Sequence, residues 1–200
     1  MRLGILGGTF DPPHIGHLVL ASEAQAQLGL QLVLWVLTPS PPHKQDQLIA
    51  PLPDRLAMLL AALGDNPFFR LSRVDIERQP PHYAVDTVRL LQASHPEAEL
   101  IYLMGGDSLR DLLTWHQPAA FVQACAAIGV MQRLGVPVDL ERVYQAIPGL
   151  AEKVTFIETP WLEISSSDIR QRVQQGRPYR YLLPQLVFDL IAQRELYRQK

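Results

Sequence analysis

Two histidines three residues apart, His14 and His17, close the stretch Gly7-Gly8-Thr9-Phe10-Asp11-Pro12-Pro13-His14-Ile15-Gly16-His17. Imidazole exchanges protons near neutral pH, and paired glycines let a bulky ligand approach the backbone. If the turn at Gly16 is helical, residues three apart face the same way, over a helix start whose N–H groups favour anions. Gly16 has no Cβ, which leaves room there for a ring or a phosphate. The chemistry this segment suits is phosphate binding, with hydrogen bonds to charge that develops on it. A metal pair is a poorer match, because it needs a third ligand and a second shell that no cysteine or nearby histidine supplies.

A second segment, Ile164-Ser165-Ser166-Ser167-Asp168-Ile169-Arg170, precedes a helical run that ends at Gly176. Taken alone, it is an ordinary serine N-cap followed by a surface arginine. Joined to the first segment, its hydroxyls, its helix-start N–H groups and Arg170 make the other half of a polyphosphate cradle. Two other phosphate-binding schemes fail. A dinucleotide fingerprint needs Gly-x-Gly-x-x-Gly and an acid closing the second strand, whereas the chain offers Gly4-x-x-Gly7-Gly8 and Leu37-Thr38-Pro39. The lysine-bearing P-loop pattern is absent as well.

Short Val, Ile and Leu runs alternate with segments of helical period, which predicts βαβ units and an α/β doubly wound, mostly parallel, Rossmann-like sheet. Strands are expected at 3–6, 32–37, 69–74, 100–104, 127–131 and 154–157. Helices are expected at 17–28, ending at Gly29, at 54–63 with Asp54 as N-cap, at 85–94, and at 184–197. Ligands of such sheets bind beyond the carboxyl ends of the strands, where the first strand meets Gly7. Pro39, Pro41, Pro42, Pro51 and Pro53 bracket a long loop of the kind that carries function.

Two hundred residues at 48% hydrophobic suffice for one core, so the reading is a single domain over 1–200 with a C-terminal helical part from about 164. A net charge of −2 gives no global pull on nucleic acid or on an anionic membrane, so neither is expected as a partner. Basic charge is local: from Arg170 to Lys200 seven basic residues stand against two acids, an excess of five. Cys125 is alone in an apolar run and reads as a buried small hydrophobe. With no leader pattern and no run near the roughly 18 residues of a membrane span, a cytoplasmic location is expected.

The two signature segments resemble the His-x-Gly-His nucleotidyltransferase superfamily, and most closely the bacterial nicotinate-nucleotide adenylyltransferases. Further segments carry the resemblance in the family's order: Ser40-Pro41-Pro42-His43-Lys44, Tyr83-Ala84-Val85-Asp86-Thr87, Gly105-Gly106-Asp107-Ser108-Leu109, Trp115-His116, Tyr181-Leu182-Leu183-Pro184 and Leu196-Tyr197. Three departures stand out. His82-Tyr83-Ala84 replaces Ser-Tyr-Thr, Arg133-Leu134-Gly135 replaces Arg-Pro-Gly, and Ser167 replaces a threonine. His-Ile-Gly-His also occurs in class I aminoacyl-tRNA synthetases, but no Lys-Met-Ser-Lys-Ser segment accompanies it here.

The resemblance implies transfer of the adenylyl group of ATP to nicotinate mononucleotide, with Mg²⁺ carried in by the ATP. It implies catalytic roles for His14, His17 and Arg170. ATP would be held by Gly7, Gly8, Thr9, Phe10, Gly16, Lys44, Gly105, Asp107, Ile164, Ser166 and Ser167, and the acceptor by Tyr83, Ala84, Trp115 and His116. Trp115 would offer a face to the pyridine ring, while N–H groups near Ala84 and His116 take the carboxylate. Nicotinamide mononucleotide or phosphopantetheine are the alternative acceptors, and a non-catalytic nucleotide-binding sensor is the reading from another class. A homo-oligomer is compatible with all of these.

Overall fold

The computed structural model describes residues 1–41, 49–131 and 139–198. Six strands form one parallel sheet: β1 (Arg2–Gly8), β2 (Leu32–Leu37), β3 (Phe69–Ser72), β4 (Glu99–Gly105), β5 (Ala127–Met131) and β6 (Val154–Ile157), in the spatial order β3-β2-β1-β4-β5-β6. Every pairing is parallel, with Leu6 opposite Trp35 on one side and Leu103 on the other. The order reverses between β1 and β4. Successive connections there leave toward opposite faces and open a crevice beyond the strand ends.

Helices cover both faces of the sheet, so strand side chains are buried whichever way they point. On one face Leu3, Ile5, Leu34, Val36, Tyr102 and Val130 pack with α3 (Ala84–Ser94), α5 (Pro118–Ala124) and the Val143 and Leu150 side of α6 (Leu140–Ala146) and α7 (Leu150–Lys153). On the other, Leu6, Val33, Trp35, Ile101 and Leu103 meet α1 (Ile15–Gln27) and α2 (Leu52–Leu63). A third cluster joins Met58 and Ala62 of α2 to Ile169 of α8 (Ser166–Gln174) and to Val187 and Ile191 of α9 (Gln185–Gln193). The C-terminal helices therefore pack on the body. Cys125 is buried in the first cluster, where desolvation pushes its thiol up to about 12.

All six expected strands form, with β3 ending at Ser72 instead of 74, and three helix boundaries move by two residues or more. α1 begins at Ile15, so His14 is its N-cap and His17 its third residue. α2 begins at Leu52 with Pro53 in its first turn, where the missing N–H costs nothing, so Asp54 lies inside the helix. There it pairs with Arg194 at 2.6 Å. α9 ends at Gln193, and the chain then turns through left-handed Glu195 (φ +50°) and Tyr197 (φ +66°). Among the described residues no helix is long and apolar enough to cross a membrane.

Candidate active site

A cleft of about 1340 Å³ lies at the carboxyl ends of β1 and β4, large enough for more than one drug-sized ligand. Its floor is the turn after β1. At Gly7 a Cβ would come within 2.6 Å of the Tyr102 hydroxyl, so no larger residue fits without moving that ring. Phe10 sits at a left-handed φ of +47°, an uncommon and strained conformation for a bulky residue. Its ring is buried below Gly8, edge-on to His17 at 5.2 Å and 5.4 Å from Trp35. Phe10 thus supports the turn from beneath and also lines the cleft, where the sequence reading placed it.

The two histidines stack with ring centroids 3.7 Å apart. His14 is buried, at 1% exposure, while His17 is half-buried. The N–H of His14 donates to Nδ1 of His17 at 3.2 Å, which leaves the His17 proton on Nε2. His17 is therefore the outer donor and His14 its backing. Gly16 serves this arrangement directly: a Cβ there would stand 3.1 Å from the His14 ring. The missing side chain makes room for the His14 imidazole, and Gly16 itself lines the cleft.

The second signature closes on the first. Ser165 caps α8 by accepting from the Asp168 N–H at 3.1 Å. Ser166 Oγ donates to the Pro12 carbonyl at 2.8 Å, and Arg170 Nη1 donates to the Asp11 carbonyl at 2.8 Å. Ser166, Ser167 and Arg170 line the cleft together with Gly7, Gly8, Thr9, Gly16, Gly105 and Asp107. Ile164 does not. Its side chain packs in the third core cluster, because an apolar residue ahead of the serine cap anchors the start of α8. Lys44, with His43, and the Arg133-Leu134-Gly135 turn lie outside the described residues.

Beyond β4 the cleft continues between aromatic groups. Tyr83, the N-cap of α3, stacks on His116 with centroids 3.9 Å apart, and Ala84 opens the helix beside them. Trp115 lines this end while packing on Tyr102 and Phe121, so it is a wall anchored in the core. All four residues expected at an acceptor site therefore meet there.

Several polar residues escaped the sequence reading. Arg55 of α2 is 3% exposed and donates to four carbonyls: Ala50 at 2.9 Å, Thr9 at 3.1 Å, Thr38 at 2.9 Å and Pro39 at 2.7 Å. Burial lowers its guanidinium below the ordinary range, and Asp11 partly offsets that. Asp75, also buried, pairs with Arg78 at 2.9 Å and accepts from Thr87 Oγ1 at 2.9 Å. Arg78 also donates to the carbonyls of Pro81 and Tyr83, which fixes the start of α3. The ring nitrogens of His82 sit 3.3 Å from the Ser40 and Arg78 carbonyls. The Arg55 bond to Thr9 spans 46 residues and the His82 contact with Ser40 spans 42, and neither leaves a local pattern to read.

The cytidylyltransferase-like family model matches residues 5–172. A relative from Thermomicrobium roseum, named "Probable nicotinate-nucleotide adenylyltransferase", is 45% identical over 98% of this chain and 92% of its own. Among solved structures, the Plasmodium falciparum nicotinic acid mononucleotide adenylyltransferase shares the fold at a TM-score of 0.77 and 20% identity, covering 98% of this chain and 97% of its own, in a complex with NaAD. A complex of the same protein with APC superposes at 0.76, with 19% identity over 98% of this chain and 96% of its own. This chain belongs to the cytidylyltransferase-like family, among the nicotinate-nucleotide adenylyltransferases.

Proposed function

We propose that the protein transfers the adenylyl group of ATP to nicotinate mononucleotide, releasing pyrophosphate and forming nicotinate adenine dinucleotide, in the cytoplasm. The observation that carries this is the pair of hydrogen bonds, Ser166 to Pro12 and Arg170 to Asp11, that fastens the two signatures around His17 at one end of the cleft. The aromatic wall of Tyr83, Trp115 and His116 lies at the other end. The relatives' names and the NaAD complex of the Plasmodium protein support the same acceptor.

The 5′-phosphate of the acceptor is ionised near neutral pH and attacks the α-phosphorus of ATP in line, so no general base is required. Catalysis is then positioning and charge stabilisation. His17, with Nδ1 held by the His14 N–H, presents Nε2–H to the α-phosphate as charge builds there. Arg170, Ser167 and the N-terminus of α8 receive the β- and γ-phosphates and then the leaving pyrophosphate. Asp107, in the short helix α4 (Gly106–Arg110) that follows β4, takes the ribose side. Magnesium would arrive with the ATP as part of the substrate, and its charge would offset that of the leaving pyrophosphate. The imidazole, guanidinium and hydroxyl donors at this end suit phosphate oxygens. At the acceptor end, Trp115 lies against the pyridine ring, and the N–H groups at the start of α3 meet the carboxylate.

Pyrophosphate release with MgATP, measured with nicotinate mononucleotide, nicotinamide mononucleotide and phosphopantetheine in parallel, tests the reading. Preference for the nicotinate acceptor, abolished in His17→Ala, is the expected result. Activity with phosphopantetheine alone would reassign the acceptor, and silence with all three would leave a nucleotide-binding sensor.

A further inference from the structure

We infer that Tyr197 is a positioning residue for the phosphate end of the cleft: it occupies the Asp11 carboxylate and thereby keeps the Arg170 guanidinium available to a polyphosphate. The inference rests on the assignment of Arg170 to the ATP phosphates.

Asp11 is 3% exposed and sits between two arginines, Arg170 and Arg55. A buried carboxylate beside a guanidinium ordinarily forms a two-pronged ion pair, the strongest geometry open to both groups. That pair does not form here. Arg170 Nη1 is 2.8 Å from the Asp11 carbonyl but 4.0 Å from carboxylate Oδ2. The carboxylate is engaged elsewhere, with Oδ1 accepting from the Tyr197 hydroxyl at 2.7 Å and Oδ2 from the Ala50 N–H at 3.4 Å. Arg170 is thus docked by a neutral backbone oxygen, with its charge directed to the cleft it lines.

The chain works to bring Tyr197 there. After α9 it reverses through two non-glycine residues in left-handed conformations, and Arg194 is fixed to Asp54 at 2.6 Å. Left-handed backbone at a tyrosine persists only where surrounding contacts hold it. The contacts here are the Asp11 hydrogen bond and a 3.9 Å approach of the hydroxyl to Met58 Sδ. Burial, reinforced by the Asp11 charge, pushes the Tyr197 hydroxyl far above the ordinary tyrosine range, so it remains a neutral donor. Without that hydroxyl, Oδ1 has no donor in a buried setting; the Arg55 nitrogens already serve four carbonyls, whereas Arg170 Nη1 stands 4.0 Å from the carboxylate and can supply one. Rotation of the carboxylate toward Arg170 would neutralise the guanidinium and draw it out of the cleft.

The test is calorimetric binding of MgATP, and separately of inorganic pyrophosphate, to the wild-type protein, Tyr197→Phe, the double variant Asp11→Asn/Tyr197→Phe, and Arg170→Gln. Tyr197→Phe is expected to weaken both ligands about fivefold, the size of one lost hydrogen bond. The double variant, whose neutral amide no longer attracts Arg170, regains most of that loss. In turnover, Tyr197→Phe raises KM for ATP while KM for the acceptor stays put, a split that general loosening of the fold would not give. Wild-type affinity in Tyr197→Phe beside weak binding in Arg170→Gln would overturn the inference and leave Arg170 in its role. Wild-type affinity in Arg170→Gln would overturn both. Should Tyr197→Phe fold poorly, Asp11→Asn alone decides: ATP binding at least as tight as wild type supports the inference, and weaker binding overturns it.

Discussion

The N–H of His14 donates to Nδ1 of His17, so the backbone at the start of α1 selects the tautomer of the imidazole that faces the cleft. A donor fixed in this way needs no rearrangement when charge appears on the α-phosphate, which is where such groups act most strongly. Replacing His17 with alanine should lower kcat by about 10²–10³-fold, while KM for ATP changes little. Initial rates of pyrophosphate release across ATP concentrations check this. A rise in KM with kcat unchanged would make His17 a ground-state binder.

Gly7 and Tyr102 form a second testable pair. A Cβ on Gly7 would lie 2.6 Å from the Tyr102 hydroxyl, and that ring is held edge-on by Phe121 at 4.9 Å. Gly7→Ala should therefore destabilise the fold by about 1–3 kcal/mol through overpacking. Tyr102→Phe removes the atom in contact, so the double variant should recover part of the loss. Denaturant unfolding of the two single variants and the double variant measures the coupling. Strict additivity would place the strain elsewhere.

The sheet was legible because buried parallel strands are written as short Val, Ile and Leu runs, and all six appear where those runs stand. Helix starts were less so. Asp54 has the side chain of an N-cap, yet Pro53 belongs in a first turn, and that preference moved the start of α2 to Leu52. At the site, the two signatures were legible as local phosphate-binding patterns, but their joining was not. The Ser166 bond to Pro12 spans 154 residues and the Tyr197 bond to Asp11 spans 186, so only the fold reveals them. Ile164 shows the opposite limit: the side chain of a residue inside a signature packs in the core, while its carbonyl stands beside Gly16.

Alkaline pH should weaken the fold. Burial raises the Cys125 thiol from 9.0 to about 12, and it raises the Tyr102 and Tyr197 hydroxyls above their ordinary range as well. Each group is neutral when protonated, so folding favours the protonated form. The stabilisation is complete below the unfolded values and is lost as pH rises from about 9 toward the folded ones. Urea midpoints taken between pH 7 and pH 11 should fall above pH 9, and Cys125→Ala should fall less steeply than wild type. Equal slopes would show that Cys125 does not contribute.

Arg55 offers the strongest separation of charge from geometry. Its guanidinium serves four carbonyls that belong to the β1 turn, the end of β2 and the approach to α2, so one side chain fixes three segments around the cleft. Lysine keeps the positive charge beside Asp11 but carries three donors on one nitrogen and cannot reproduce the planar fork. Arg55→Lys should cost about 2–3 kcal/mol of stability, since buried carbonyls lose their donors while the charge stays buried. Because Thr9 is one of those carbonyls, KM for ATP should rise as well. Chemical denaturation and steady-state kinetics on the same preparation check both effects. Wild-type stability in Arg55→Lys would mean that charge alone, and not the fork, holds these segments together.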